Sequence, residues 1–145
     1  MNCNFVRIWG GGVYEDDEFY SLCDENGIMV WHDFMLACHM YPQTQEFLNK
    51  ISFECKNVVE RLRNHPSIIA WCGSNETDWM YTCIGLNPND DKITRVVMKD
   101  VLSAVDPFRP FFPTTPYFSD EFIKKQGGVF YVDLPGITEK REPLP

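Results

Sequence analysis

Ser67-Ile68-Ile69-Ala70-Trp71-Cys72-Gly73-Ser74-Asn75-Glu76 is an apolar run of strand length that stops on a small-residue turn and then presents an amide beside a carboxylic acid. The pattern reads as a buried strand that delivers one acid to its own C-terminal end. In a barrel of parallel strands the loops at that end carry the catalytic groups, so the position of Glu76 says as much as its chemistry.

The neighbouring segments repeat the theme. Residues 4–9 form a short β-type run ended by Gly10-Gly11-Gly12, and 16–26 then places Phe19, Leu22 and Cys23 at helical spacing, with Gly27 as a natural C-cap. A second strand over 28–31 continues into His32-Asp33-Phe34. After a loop rich in Met, Cys and Tyr, the clearest helix spans 45–64, with Phe47, Leu48, Ile51, Cys55, Val58, Val59 and Leu62 on one stripe and Pro66 beyond its end. The third strand is 67–71. A long loop then leads past Pro88 into a helix over 90–105 carrying Ile93, Val97, Val101 and Leu102, which Asp106-Pro107 stops. Residues 109–113 suggest a fourth strand, weakly paired because Pro107, Pro110 and Pro113 surround it. A candidate fifth is 128–132, followed by an irregular tail over 135–145.

Strands alternating with helices imply right-handed βαβ units and a parallel sheet. The predicted class is therefore α/β, a partial (β/α)₈ barrel of four or five parallel strands in a single domain over 1–145. A complete barrel takes about 250 residues. The chain, which opens on a strand and closes without a capping helix, reads as cut from the middle of one.

Composition narrows the function. A chain of 145 residues with 44% hydrophobic content can bury a core. Its net charge of −8 and pI near 4.8 argue against nucleic acid or an anionic membrane as partner. Arg61, Arg63 and Lys56, the densest basic cluster, read as a solvated helix face. No apolar run reaches 18 residues and the N-terminus lacks the regions of a signal peptide, so a soluble and cytoplasmic chain is expected. The cysteines, Cys3, Cys23, Cys38, Cys55, Cys72 and Cys83, form no CxxC pair and are read as buried free thiols.

Other motifs are set aside. Gly10-Gly11-Gly12 is not GxGxxG and no P-loop lysine follows, which leaves a tight turn. His32, Asp33 and His39 lack the spacing of a metal site. Cys72 and Cys83 have no basic neighbour to activate them and are read as structural. Asn75-Glu76-Thr77 fits a glycosylation pattern, but an asparagine lining a cleft is no glycan acceptor.

Arg7-Ile8-Trp9-Gly10-Gly11-Gly12-Val13-Tyr14-Glu15, then Gly27-Ile28-Met29-Val30-Trp31 with Asp33-Phe34-Met35, then Arg63-Asn64-His65-Pro66-Ser67-Ile68 and Trp71-Cys72-Gly73 before Asn75-Glu76, together resemble the second to fourth barrel strands of the family-2 glycoside hydrolases, the β-mannosidase branch in particular. The match is dense over 2–80, keeps the βα pattern to 106 and becomes divergent over 107–145.

The resemblance implies a retaining exo-β-glycosidase acting on a terminal β-linked sugar. Glu76 would be the general acid/base, Asn75 would hydrogen-bond the 2-hydroxyl, and Trp9 would wall the subsite. Arg7 would support the nucleophile's carboxylate, and Asp33 would belong to the polar shell under the sugar. Where the family usually has Gln and a small residue, this chain has His32 and His39. Aromatic rings at strand ends suit such a role, since pyranose C–H faces pack on them; Trp9 and Trp79 are the candidates, while Trp31 and Trp71 read as core.

Retention needs two carboxyl groups about 5–5.5 Å apart and no metal or organic cofactor. The family's nucleophile is a glutamate in a Ser-Glu-(Phe/Tyr)-Gly context, which Glu121, Glu139 and Glu142 lack. The chain alone is thus expected to be inactive. The alternative is a non-catalytic fragment that binds carbohydrate or serves as an assembly unit. A half-barrel with open edges is also expected to self-associate.

Overall fold

The computed structural model describes residues 2–125; the candidate fifth strand, the tail, Glu139 and Glu142 lie outside them. Strands β1 (Phe5–Ile8), β2 (Met29–Asp33), β3 (Ile68–Cys72) and β4 (Phe111–Phe112) form one parallel sheet in the order of the sequence. Helices α1 (Asp17–Asn26) and α2 (Gln45–Leu62) make the first two crossovers. The third passes through α3 (Thr77–Cys83), a 3₁₀ turn at Pro88–Asp90, a π-helical stretch at Ile93–Met98 and α4 (Lys99–Val105). A short α5 (Asp120–Lys125) follows β4.

Local signals account for the ends of these elements. Asp16 caps α1 by accepting from the Phe19 N–H, and Gly27 closes it in the left-handed conformation (φ 65°) that glycine adopts without strain. Thr44 caps α2 through the Phe47 N–H. The α2 stripe is buried as the spacing predicts, with Leu48, Ile51, Cys55, Val58, Val59 and Leu62 inside and Phe47 partly so.

The two sheet faces differ. Ile8, Val30, Ile68 and Trp71 join the α2 stripe in the main apolar cluster. A register shift between Val30 and Trp31 lets Ile68 and Trp71, three residues apart, share that face. The opposite face carries Arg7, Trp31 and Asp33 together with Phe5, Met29 and Phe112, which remain 38–41% exposed. Trp31 stacks on Phe112 there at 4.8 Å.

Four expectations change. The loop after β3 contains α3, which the spacing did not suggest. The helix expected over 90–105 begins with wider turns, because the Asp91 carboxylate accepts from the Ile93 N–H, the Thr94 hydroxyl and Gln43 and shapes the entry. In α1 the buried residues are Tyr20 and Cys23, while Leu22 faces solvent: the Tyr20 hydroxyl meets His32 Nε2 at 2.8 Å, so its polar tip is satisfied in the core. Finally, Cys3, Cys38 and Cys83 are exposed, and only Cys23, Cys55 and Cys72 are buried; all six are free.

Candidate active site

The backbone ladder continues past the strand ends. Asn75 N–H donates to Leu36 O (2.9 Å), Cys38 N–H to Asn75 O (2.8 Å), Glu76 N–H to Thr115 O (2.8 Å) and Thr115 N–H to Ser74 O (3.1 Å). Parallel bridges Ala37 to Asn75 and Asn75 to Thr115 express the same pairing. The loops after β2, β3 and β4 are thus tied at the C-terminal end of the sheet, where a barrel places its chemistry.

Glycines permit the close approaches. A Cβ on Gly10 would lie 2.4 Å from Leu36 O and 2.8 Å from Phe34 O, and one on Gly73 would lie 2.4 Å from Pro113 O. A Cβ on Gly11 would instead run into the Trp9 ring at 2.2 Å. The Trp9 indole therefore lies over the glycine turn, and it is 49% exposed.

Arg7 organises the polar floor. Its Nε donates to both oxygens of Asp33 (3.2 and 3.1 Å), and its Nη2 reaches Asp33 Oδ2 (2.6 Å), Asn75 Oδ1 (3.1 Å) and Thr115 Oγ1 (2.6 Å). Asp33 has no exposed surface and also accepts from Trp31 Nε1 (2.9 Å) and the Gly10 N–H (3.1 Å). Asn75 is buried with its amide engaged on both sides, since Nδ2 donates to Cys38 Sγ at 3.3 Å.

Glu76 follows directly. It stands at the N-cap position of α3 in the left-handed region (φ 60°, ψ 16°), yet its side chain caps nothing. A non-glycine residue held there stores of order 1–3 kcal/mol and marks a place worth reading functionally. Its Oε2 accepts from Cys38 Sγ at 3.3 Å.

The five residues singled out in the sequence fall in one region, with Arg7 in direct contact with both Asp33 and Asn75 and Trp9 flanking them on the glycine turn. Cys38 and Thr115 complete the cluster and were missed. Cys38 had only its place in a Cys- and Met-rich loop as a signal, and Thr115 only its place after a weak strand. Burial, then the Glu76 hydrogen bond, push the Cys38 thiol above its ordinary value. Burial, then the Asp33 charge, push Cys72 up to about 12, so it stays a thiol beneath the site.

The remaining candidates have structural partners. His32 is buried among Tyr14, Tyr20 and Trp71, and burial lowers its pKa to about 4. His39 packs edge-on against Tyr41. Trp79 lies in α3 rather than a loop. Among the described residues no group of three His, Cys, Asp or Glu side chains has a metal-holding arrangement.

The sequence profile described as "Glycosyl hydrolases family 2, TIM barrel domain" matches residues 13–112. Beta-mannosidase from Bos taurus is 43% identical over 125 residues, which covers 79% of this chain and 14% of that protein. Beta-mannosidase B from Emericella nidulans is 54% identical over 71 residues, 49% of this chain and 8% of that protein. The crystal structure of beta-D-mannosidase from Dictyoglomus thermophilum superposes with a TM-score of 0.74 at 44% identity, covering 83% of this chain and 15% of that one. The chain thus spans about a seventh of the length of the mammalian relative.

Proposed function

The chain belongs to the TIM-barrel domain of the family 2 glycosyl hydrolases, and from that premise we propose that it forms part of the catalytic barrel of a β-mannosidase-like retaining exo-β-glycosidase, with Glu76 as general acid/base. The observation that supports this most is the convergence of Arg7, Asp33, Asn75 and Glu76 at the C-terminal end of three adjacent parallel strands. No cofactor is needed for such chemistry.

The roles follow from what each group can do. Glu76 donates a proton to the departing glycosidic oxygen and later takes one from the attacking water, a contribution of about 10²–10⁴-fold. Arg7 has only donors, so the Asn75 atom facing it is the oxygen; the NH₂ turns to Cys38 and keeps a second hydrogen with which it can meet a sugar hydroxyl. The half-exposed Trp9 indole offers a flat apolar wall to a pyranose ring. Asp33, fully buried, acts through Arg7 rather than by touching the sugar.

The nucleophile has to be a second carboxylate, and the sequence holds no glutamate in the Ser-Glu-aromatic-Gly context. The 145-residue chain alone is therefore expected not to turn over aryl β-mannosides. A parent protein without such a glutamate would leave the second reading, a carbohydrate-binding or assembly unit without catalysis.

A hybrid tests both. Residues 5–115 replace the corresponding segment of the Dictyoglomus beta-D-mannosidase, and Glu76→Ala is made in the hybrid. Activity on an activated aryl β-mannoside should fall with the substitution and return with azide, giving the glycosyl azide, because a good leaving group needs no proton and a small anion needs no base. An active hybrid whose Glu76→Ala form gains nothing from azide would show that Glu76 is not the acid/base.

A further inference from the structure

Cys38 stands in the loop after β2 with φ 51°, the left-handed region that is strained for a residue with a side chain and persists where its surroundings over-determine it. Here they do. Its N–H donates to Asn75 O at 2.8 Å, and Ala37 before it bridges to Asn75. The backbone is held so that Sγ lies between two consecutive residues of the neighbouring strand extension, receiving from Asn75 Nδ2 and contacting Glu76 Oε2, each at 3.3 Å.

The direction of these bonds is forced. A guanidinium only donates, so Asn75 turns its oxygen to Arg7 and its NH₂ to Cys38. The sulfur, receiving that hydrogen, points its single S–H at the carboxylate. Donors run in single file from Arg7 through Asn75 and Cys38 to Glu76. Among the described residues none donates to the other oxygen, Oε1.

We propose that Cys38 is a positioning residue for Glu76: its thiol holds Oε2 as an acceptor, so that the proton given to the leaving group resides on Oε1. The assignment rests on the reading of Glu76 as acid/base. In the first step Oε1–H protonates the glycosidic oxygen as its bond to the anomeric carbon breaks. The electron pair stays with the departing alcohol, Oε1 becomes a carboxylate oxygen, and the carbon passes to the second carboxylate of the reaction. Water then returns a proton to Oε1 and its oxygen to the anomeric carbon, releasing that carboxylate.

The contact is tested on the 145-residue chain by iodoacetamide alkylation at fixed neutral pH, with each cysteine followed by peptide mass spectrometry. Removing the anionic acceptor with Glu76→Gln should speed alkylation of Cys38 about threefold or more and leave the distant, exposed Cys3 unchanged. An unchanged Cys38 rate overturns the proposal, whatever Glu76 does.

The catalytic consequence is read in the hybrid enzyme. Cys38→Ala and Cys38→Ser both keep a Cβ at the same positive φ, so they share any backbone strain and differ only in the donor. Alanine should lower kcat/KM about tenfold on alkyl β-mannosides, whose poor leaving groups need the proton, and change activated aryl substrates by about twofold or less. Serine should recover most of the loss. Equal losses on both substrates, or a serine variant no better than alanine, overturn the positioning role. A hybrid inactive before any substitution removes the premise and the proposal with it, even where the alkylation shift is found.

Discussion

Arg7 on β1 grips Asp33 on β2 through Nε and Nη2, with the shortest contact at 2.6 Å, although 36% of the arginine side chain is exposed and none of the aspartate is. The strand register pairs Arg7 with Trp31, so Asp33 lies two residues further on and only a long side chain spans that diagonal. A carboxylate wholly removed from water depends on its donors, and three of them converge here: Arg7, the Trp31 indole and the Gly10 amide.

Arg7→Met should therefore destabilise the chain by about 3 kcal/mol, the low end for leaving a buried charge uncompensated, because Trp31 and Gly10 remain. Arg7→Lys keeps the charge but not the fork and should cost less. Urea midpoints measure both; an Arg7→Met midpoint equal to the wild type's would show that Asp33 does not rely on the pair.

The two glycines after Trp9 should respond differently. Gly10→Ala meets the carbonyls of Leu36 and Phe34, which cannot move without disturbing the strand extension, and should cost about 2–3 kcal/mol. At Gly11→Ala the nearest atoms all belong to the Trp9 ring, which can swing away. It should leave the thermal midpoint nearly unchanged while shifting tryptophan emission and, in the hybrid enzyme, raising KM. Equal destabilisation by both would contradict the geometry.

His32 links stability to pH. Burial lowers its pKa from 6.5 to about 4, so between those values the unfolded chain takes up a proton that the folded chain does not. Stability is accordingly lost as pH falls through that window, by about 2 kcal/mol near pH 5. His32→Gln, which can still face the Tyr20 hydroxyl, should flatten this part of the acid limb relative to the wild type. Hydrogen bonds from Ser67 and His65 outweigh burial to hold Asp24 below its ordinary 3.8, so its contribution fades only in stronger acid and does not enter the comparison. Parallel acid slopes for the two proteins would refute the assignment.

The sheet face opposite the α2 cluster predicts association. Phe5, Met29 and Phe112 are exposed beside Trp31, and among the described residues nothing pairs with the outer edge of β1. Unpaired strand edges and apolar patches seek partners. At micromolar concentration the 145-residue chain should sediment above 16.9 kDa, and Phe5→Lys with Phe112→Glu should shift it toward monomer. A monomeric wild type would end this expectation.

What the sequence alone determined is what depends on short-range pattern. The stripe on α2, the apolar run of β3, the Gly27 cap and the alternation of strand with helix each lie within a few residues, so periodicity and cap chemistry expose them. The place of Asn75-Glu76 was legible because an apolar strand run stops just before it, while its reading as a candidate acid with its amide neighbour came from the family resemblance. Helix α3 was hidden for the opposite reason: Asp78 occupies one of its buried positions, and only Arg95, seventeen residues away, together with the Phe118 amide, makes a carboxylate tolerable there. Cys38 and Thr115 reached the site by the same kind of long-range decision. Their places follow from parallel pairing of segments near residues 37, 75 and 115, in which each backbone N–H takes a carbonyl from a different crossover. No local spacing encodes that ladder, because its register is set by packing the helices on one face and the Arg7–Asp33 pair on the other.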